Sequence, residues 1–160
     1  MTGAGGAFVI VNPRAGSGRA GRAFDGIRPV LERRLGAVDV AFTEGPAHAI
    51  DLAREAVRGG KKLVIAVGGD GTLHEVANGV LDAGAAASVG YVGQGTGGDF
   101  RRTLGIEHRL DAYVEAIAAG RERRIDVGKV SYVDRLTRGF RNIHKDLLDL
   151  FLGNQKSIRL

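Results

Sequence analysis

Cysteine does not occur anywhere in the 160 residues. Its absence excludes a disulfide framework and thiolate metal sites, and it suits a cytoplasmic address. No apolar run approaches the length of a membrane span, so the chain reads as soluble and globular. Met1 to Gly6 lack the basic and apolar regions of a signal peptide. The Walker pattern G-x-x-x-x-G-K-[ST] is missing, which argues against a P-loop NTPase. His48, His108 and His144 show no metal-ligand spacing. Proline is confined to Pro13, Pro29 and Pro46, and no internal repeat or low-complexity tract is present.

What is present is enough for one domain with a real core, at 44% hydrophobic residues. The net charge of +5 and a pI near 10.0 favour anionic partners, namely a nucleotide, nucleic acid or an acidic membrane surface. Abundant Arg, Ala and Gly also follow from genome base composition, so the charge carries little weight alone.

The chain is organised around KLVIAVGGDGTLHEVANGV, residues Lys62 to Val80. Leu63 to Val67 is a continuous apolar run, as expected of a strand buried on both faces. It breaks at Gly68-Gly69-Asp70-Gly71-Thr72, and a helical pattern follows through Leu73, Val76, Ala77, Val80 and Leu81. Strand, glycine turn and helix together aim backbone N–H groups and a helix N-terminus at an anion. Asp70 would repel a bare phosphate, so a bridging Mg²⁺ or a hydroxyl to be oriented is implied. The plain alternative is a tight turn that needs glycine.

Around this stretch, Ala7 to Val11, Val38 to Phe42 and Ser88 to Val92 read as further strands. Arg19 to Leu35, Ala47 to Val57 and Leu110 to Ala119 read as helices, with Pro29 a potential kink in the first and Pro46 at the start of the second. Ile125 to Val130 reads as a further strand carrying Asp126. The alternation predicts an α/β fold: a Rossmann-like open, mostly parallel sheet flanked by helices. In such sheets ligands gather beyond the carboxyl ends of the strands. Asn12-Pro13, Thr43, Gly68 to Thr72 and Gly93 to Asp99 all follow strand ends, so four loops are expected on one edge. After about Arg141 the composition shifts, and Phe140, Ile143, Leu147, Leu150 and Phe151 suggest an amphipathic helix in a tail spanning 131–160.

Two G-x-G-x-x-G matches, at Gly16/Gly18/Gly21 and from Gly93 through Gly98, are weak signals among 26 glycines. The first, with Glu44 where a ribose-binding acid belongs, leaves a dinucleotide-dependent oxidoreductase as an alternative. Asn12 to Ala15 stand between its strand and first glycine, where that fold needs an immediate turn.

The ordered set Asn12-Pro13-Arg14-Ala15-Gly16, Thr43, Gly68 to Thr72 and Gly95-Thr96-Gly97-Gly98-Asp99-Phe100 resembles the diacylglycerol kinase catalytic-domain family. That family takes in bacterial lipid kinases and, more distantly, sphingosine and ceramide kinases; NAD kinases and phosphofructokinases share the GGDGT-type loop. The resemblance covers about Ala7 to Lys129 and makes 1–130 the nucleotide-binding domain. It implies ATP and Mg²⁺ as cofactors and transfer of the γ-phosphate to a lipid hydroxyl such as that of diacylglycerol. Asn12, Pro13, Arg14, Ala15, Gly16 and Thr43 would line the ATP site. Gly68, Gly69, Asp70, Gly71 and Thr72 would cradle the phosphates, with Thr96 beside them. Asp70 and Asp99 would be the catalytic acids and, with Asp126, would hold Mg²⁺ directly or through water. Asp99 also suits a helix N-cap, a role that could coexist with the first, and Asp126 reads equally as a solvated strand-end carboxylate. His74 reads as a packing or surface residue and Glu75 as a first-turn acid. Arg19, Arg22, Arg101 and Arg102 read as solvated faces or as contacts to phosphate or lipid headgroups.

The chain departs from the family where Gly93 replaces the usual proline and Gly98 the usual asparagine of the second glycine turn. The family's second, β-rich domain, which supplies the lipid pocket and a general base, is not recognisable after Lys129. The expectation is therefore an ATP–Mg²⁺-binding lobe that is weak or inactive as a kinase alone, a non-catalytic nucleotide-binding fragment being the alternative. No nucleic-acid partner is expected. Peripheral contact with the inner membrane face and a homodimer are left open.

Overall fold

The computed structural model describes residues 6–127, 130–134, 139–143 and 156–159. Strands β1 (Ala7–Val11), β3 (Leu63–Gly68) and β4 (Ser88–Gly93) are buried along nearly their whole length, as their unbroken apolar runs require. β2 (Asp39–Phe42) has no fully buried residue, because it lies at the sheet edge. These four strands are parallel in the order β2-β1-β3-β4. The chain leaves β1 toward β2 and then crosses back to β3 on the other side of β1. The sheet thus has a topological switch point between β1 and β3, where the loops following the two strands diverge and leave a crevice.

Right-handed crossovers on either side of that point send the helices to opposite faces. α1 (Ala15–Leu35) packs with α5 (Leu110–Ala118), and α2 (His48–Arg58) packs with α3 (Asp70–Asp82). Phe24, Ile27 and Leu31 of α1 and Val76 and Val80 of α3 close the core against Val9, Ile10, Ile65 and Val67. Burying such side chains contributes roughly 1.5–3 kcal/mol apiece before entropy is counted. α2 and α3 approach so closely that a Cβ at Gly79 would lie 2.2 Å from the Ile50 carbonyl oxygen.

Local details differ from the expectation at the element ends. Gly16, Ser17 and Gly18 have φ of 60°, 59° and 83°, so regular helix begins only after them, near the expected Arg19. Pro29 does not break α1, whose remaining dihedrals are helical. α2 starts at His48 rather than beside Pro46, because Ala47 takes φ 65°. The Glu75 carboxylate of α3 accepts the N–H groups of Ala47 at 3.0 Å and Ala49 at 3.3 Å. Glu75 therefore satisfies the open N-terminus of a neighbouring helix, not only its own.

The expected strand 125–130 is two elements, β5 (Arg124–Val127) and β6 (Val130–Asp134). β6 pairs antiparallel with β7 (Gly139–Ile143), and β8 (Lys156–Arg159) joins β4 to β5 in the main sheet. Phe140 and Ile143, the first two members of the expected amphipathic helix, thus lie in a strand whose backbone bonds are taken up by β6. Leu147, Leu150 and Phe151 lie outside the described residues.

Candidate active site

Three glycine-rich loops meet at the carboxyl edge of the sheet, around the switch point. After β1, the Asn12 N–H is held by the Val67 carbonyl at 3.0 Å. The Asn12 side-chain amide donates to the buried Thr72 hydroxyl at 3.1 Å, and its carbonyl accepts the Arg14 N–H at 3.1 Å. After β4, the Gln94 N–H donates to the Gly68 carbonyl at 2.7 Å. The loops then touch backbone to backbone. A Cβ on Gly16 would sit 2.3 Å from the Gln94 carbonyl oxygen, and one on Gly95 would sit 2.7 Å from the Gly69 Cα. Neither position has room for a side chain, so glycine here serves the contact between loops.

Asp70 opens α3, with Gly69 as the helix N-cap. Each of its carboxylate oxygens has a partner: Oδ1 accepts the Tyr91 hydroxyl at 3.2 Å and Oδ2 accepts the Asp99 N–H at 3.2 Å. Tyr91 sits on β4, 5% exposed. Burial, reinforced by the Asp70 charge and hydrogen bond, pushes its phenol well above the ordinary value, so it remains a donor. The Tyr91 ring meets Phe100 and Tyr113 edge-on at 6.2 and 6.0 Å. Tyr91 was unmarked in the sequence, where it reads as one more core residue of a buried strand.

Asp99 is the first residue of α4 (Asp99–Leu104), and Gly98 rather than Asp99 is the N-cap. Gly98 takes φ 68°, a left-handed conformation that asparagine also tolerates, so replacing asparagine there leaves the backbone unstrained. The Asp99 carboxylate is exposed and paired with Arg102, whose other nitrogen reaches the Gly97 carbonyl at 3.0 Å. Arg101 donates to the Ile106 carbonyl at 2.9 Å and Arg22 to the Ser17 carbonyl at 3.3 Å. These three arginines therefore brace the backbone that flanks or opens the helices carrying them.

Thr43 follows β2 and donates its N–H to the Val11 carbonyl at 2.9 Å, which draws it to the β1 loop. Thr96 is exposed at the tip of the β4 loop. Asp126 is not brought to this edge. β8 runs parallel to β4 with Arg159 beside Ser88, and β5 runs antiparallel to β8 with Arg124 opposite Arg159. β5 therefore starts level with the first residue of β4 and leads away from the glycine loops. Strand register carries this third member of the expected trio of acids to the other edge of the sheet.

The residues present fit a nucleotide with its metal. Backbone is exposed at Gly71, Thr96 and Gly97, the N-terminus of α3 opens there, and the half-buried Asp70 carboxylate accepts the N–H of the exposed Asp99. Among the described residues no three His, Cys, Asp or Glu gather to hold a metal. A Mg²⁺ ion would thus take one or two carboxylates and complete its shell with phosphate and water, as it commonly does. A separate groove of about 430 Å³, lined by Val30, Arg33, Arg34, Asp111, Val114 and Glu115, lies at the C-terminal end of α1, opposite the end bearing Gly16. It has neither glycine backbone nor a place at the switch point of the sheet.

Fold and loops together define an α/β lobe with three glycine-rich loops at the carboxyl edge of its parallel strands. Residues 6–130 match the diacylglycerol kinase catalytic domain, and the chain belongs to that family. It is 30% identical over 125 residues to diacylglycerol kinases of Staphylococcus saprophyticus and Staphylococcus haemolyticus, covering 78% of this chain and 41% and 38% of theirs. A diacylglycerol kinase structure from Bacillus anthracis strain Sterne superposes with a TM-score of 0.68 at 28% identity, covering 76% of this chain and 44% of that one. The chain thus spans about two fifths of the length of these relatives.

Proposed function

We propose that this chain is the nucleotide-binding lobe of an ATP-dependent lipid kinase of the diacylglycerol type. The observation that carries the reading is the Asp70 carboxylate, gripped from both sides where the three glycine-rich loops converge. In this reading Asn12 to Gly16 and Thr43 line the nucleotide. Gly68 to Thr72 and the start of α3 receive the phosphates, with Thr96 at the rim. Asp70 and Asp99 hold Mg²⁺, which when bound neutralises phosphate charge during transfer. Phosphoryl transfer asks the protein mainly for positioning and charge, and rigid backbone loops supply both. The acceptor is a lipid hydroxyl such as that of diacylglycerol, met at the cytoplasmic membrane face. Among the described residues no helix is long and apolar enough to cross a membrane.

Calorimetric titration with ATP–Mg²⁺ tests the reading. Binding is expected, and Asp70→Asn is expected to weaken it about ten-fold, the scale of one lost charge-assisted contact. Equal affinity in the two proteins would sink the role of Asp70, and tighter binding of NAD(H) than of ATP would favour the dinucleotide alternative. The position of Asp126 favours a second reading, a lobe that binds nucleotide without turning it over. Transfer of labelled phosphate to diacylglycerol in mixed micelles separates the two.

A further inference from the structure

Beneath Asp70 lies a buried aromatic assembly that the nucleotide reading does not use. Tyr91 reaches Asp70 Oδ1 from below, at 3.2 Å. Tyr113, on α5 and 1% exposed, packs edge-on against the Tyr91 ring with centroids 6.0 Å apart. Its hydroxyl lies 3.0 Å from His108 Nδ1. The same hydroxyl occupies the space above Gly93, where a Cβ would come within 2.5 Å of it. Gly93 is one of the two glycine-turn positions at which this chain departs from the pattern of the family it resembles. The departure has a steric partner: the absent side chain leaves room for Tyr113.

Two hydrogen bonds, one to each oxygen, hold a carboxylate better than one. The Asp99 N–H belongs to the first residue of the short helix α4, whereas the Tyr91 hydroxyl projects from a strand in the middle of the sheet. A strand side chain wedged between Phe100 and Tyr113 has little rotational freedom, so its hydroxyl is a fixed point of reference. An acid that must meet a metal or phosphate gains from such a support, because orientation is settled before the ligand arrives.

We infer that Tyr91 is a positioning residue that sets the Asp70 carboxylate for metal-bound nucleotide, with Tyr113, His108 and Gly93 forming the scaffold that holds the Tyr91 ring. This rests on the reading of the loops as an ATP–Mg²⁺ site. Tyr91 touches no ligand itself; it acts through Asp70.

The test is calorimetric titration of ATP into wild type, Tyr91→Phe, Asp70→Asn and the double variant, each with Mg²⁺ and with EDTA. Tyr91→Phe keeps the ring and its packing and removes only the hydroxyl. With Mg²⁺ it is expected to lose roughly ten-fold in affinity. In EDTA its affinity should stay within about two-fold of wild type, and in the Asp70→Asn background the same change should have no further effect. An equal loss with and without Mg²⁺, or losses that simply multiply in the double variant, would show a structural role and overturn the inference. So would full Mg²⁺-dependent affinity in Tyr91→Phe, while leaving the nucleotide site intact. Absence of Mg²⁺-dependent binding in wild type would instead remove the ATP–Mg²⁺ reading and this inference with it. Should Tyr91→Phe fail to fold, wild type labelled with 3-fluorotyrosine gives the second readout. The ¹⁹F resonance of Tyr91 should move on adding ATP–Mg²⁺ and stay in place with ATP and EDTA; an unmoved resonance overturns the inference.

Discussion

The Asn12 side-chain amide donates to the Thr72 hydroxyl at 3.1 Å, joining the loop after β1 to the first turn of α3 across 60 residues of sequence. That bond spans the switch point of the sheet. Thr72 is 4% exposed, so its hydroxyl has no solvent to fall back on. Asn12→Ala should destabilise the fold by about 1–2 kcal/mol and weaken ATP–Mg²⁺ binding, since a buried polar group loses its partner. Asn12→Asp retains acceptors for the Thr72 hydroxyl and the Arg14 N–H, and should stay closer to wild type in urea denaturation. It places a negative charge among the glycine-rich loops, however, and should bind nucleotide worse than its stability suggests. Parallel loss of stability and binding in both variants would contradict the assignment.

Gly93 and Tyr113 form a complementary pair. Gly93→Ala puts a methyl 2.5 Å from the Tyr113 hydroxyl, inside a packed interior, and should cost about 1–3 kcal/mol. Tyr113→Phe in the same chain removes the clashing oxygen and should restore part of that loss. The check is a double-mutant cycle by urea denaturation; simple additivity would show that the two side chains do not compete for one space.

Gly79 sets the distance between α2 and α3. Alanine there gains roughly 0.8–1 kcal/mol of helix propensity. The gain is outweighed because the new methyl meets the Ile50 carbonyl oxygen at 2.2 Å and the Ala53 Cβ at 2.7 Å, neither of which yields without moving a helix. A net loss of stability is expected, seen as a lower urea midpoint with little change in slope. A midpoint equal to or above that of wild type would show that the helices separate freely.

Alkaline pH should expose the buried phenols. Burial raises the pKa of both Tyr91 and Tyr113 above the free value of 10.0. Below pH 10 both states keep their protons, and the stabilisation is present in full. As pH rises past 10 the unfolded chain gives up protons that the folded chain retains, so stability falls with pH. Tyr91→Phe should flatten that decline between pH 10 and 11 in urea titrations. Identical slopes in the two proteins would place the titration elsewhere.

Much of this architecture was legible in the residues themselves. Strands buried on both faces must be apolar throughout, so Ala7–Val11, Leu63–Gly68 and Ser88–Gly93 stood out to within a residue or two. Glycine clusters at their ends marked the ligand edge. Other features had no local signature. Phe140 and Ile143 have helical spacing, yet pairing with β6 makes them strand, because two apolar positions do not distinguish the periods. Asp126 has the residue type and surroundings of a site acid, but its edge of the sheet depends on strand direction and register.

As far as Ala119 the sequence by itself determined most of the strands and helices and which loops carry glycine and acid, since period and residue type act over neighbours in the chain. Only the tertiary structure decided that Asn12 ties to Thr72, that Glu75 closes the start of α2, that Tyr91 and the Asp99 N–H hold Asp70, and that Asp126 lies away from them. Those relationships join residues from 21 to 60 positions apart. Strand order and register alone bring such residues within reach of a hydrogen bond or separate them by the width of the sheet.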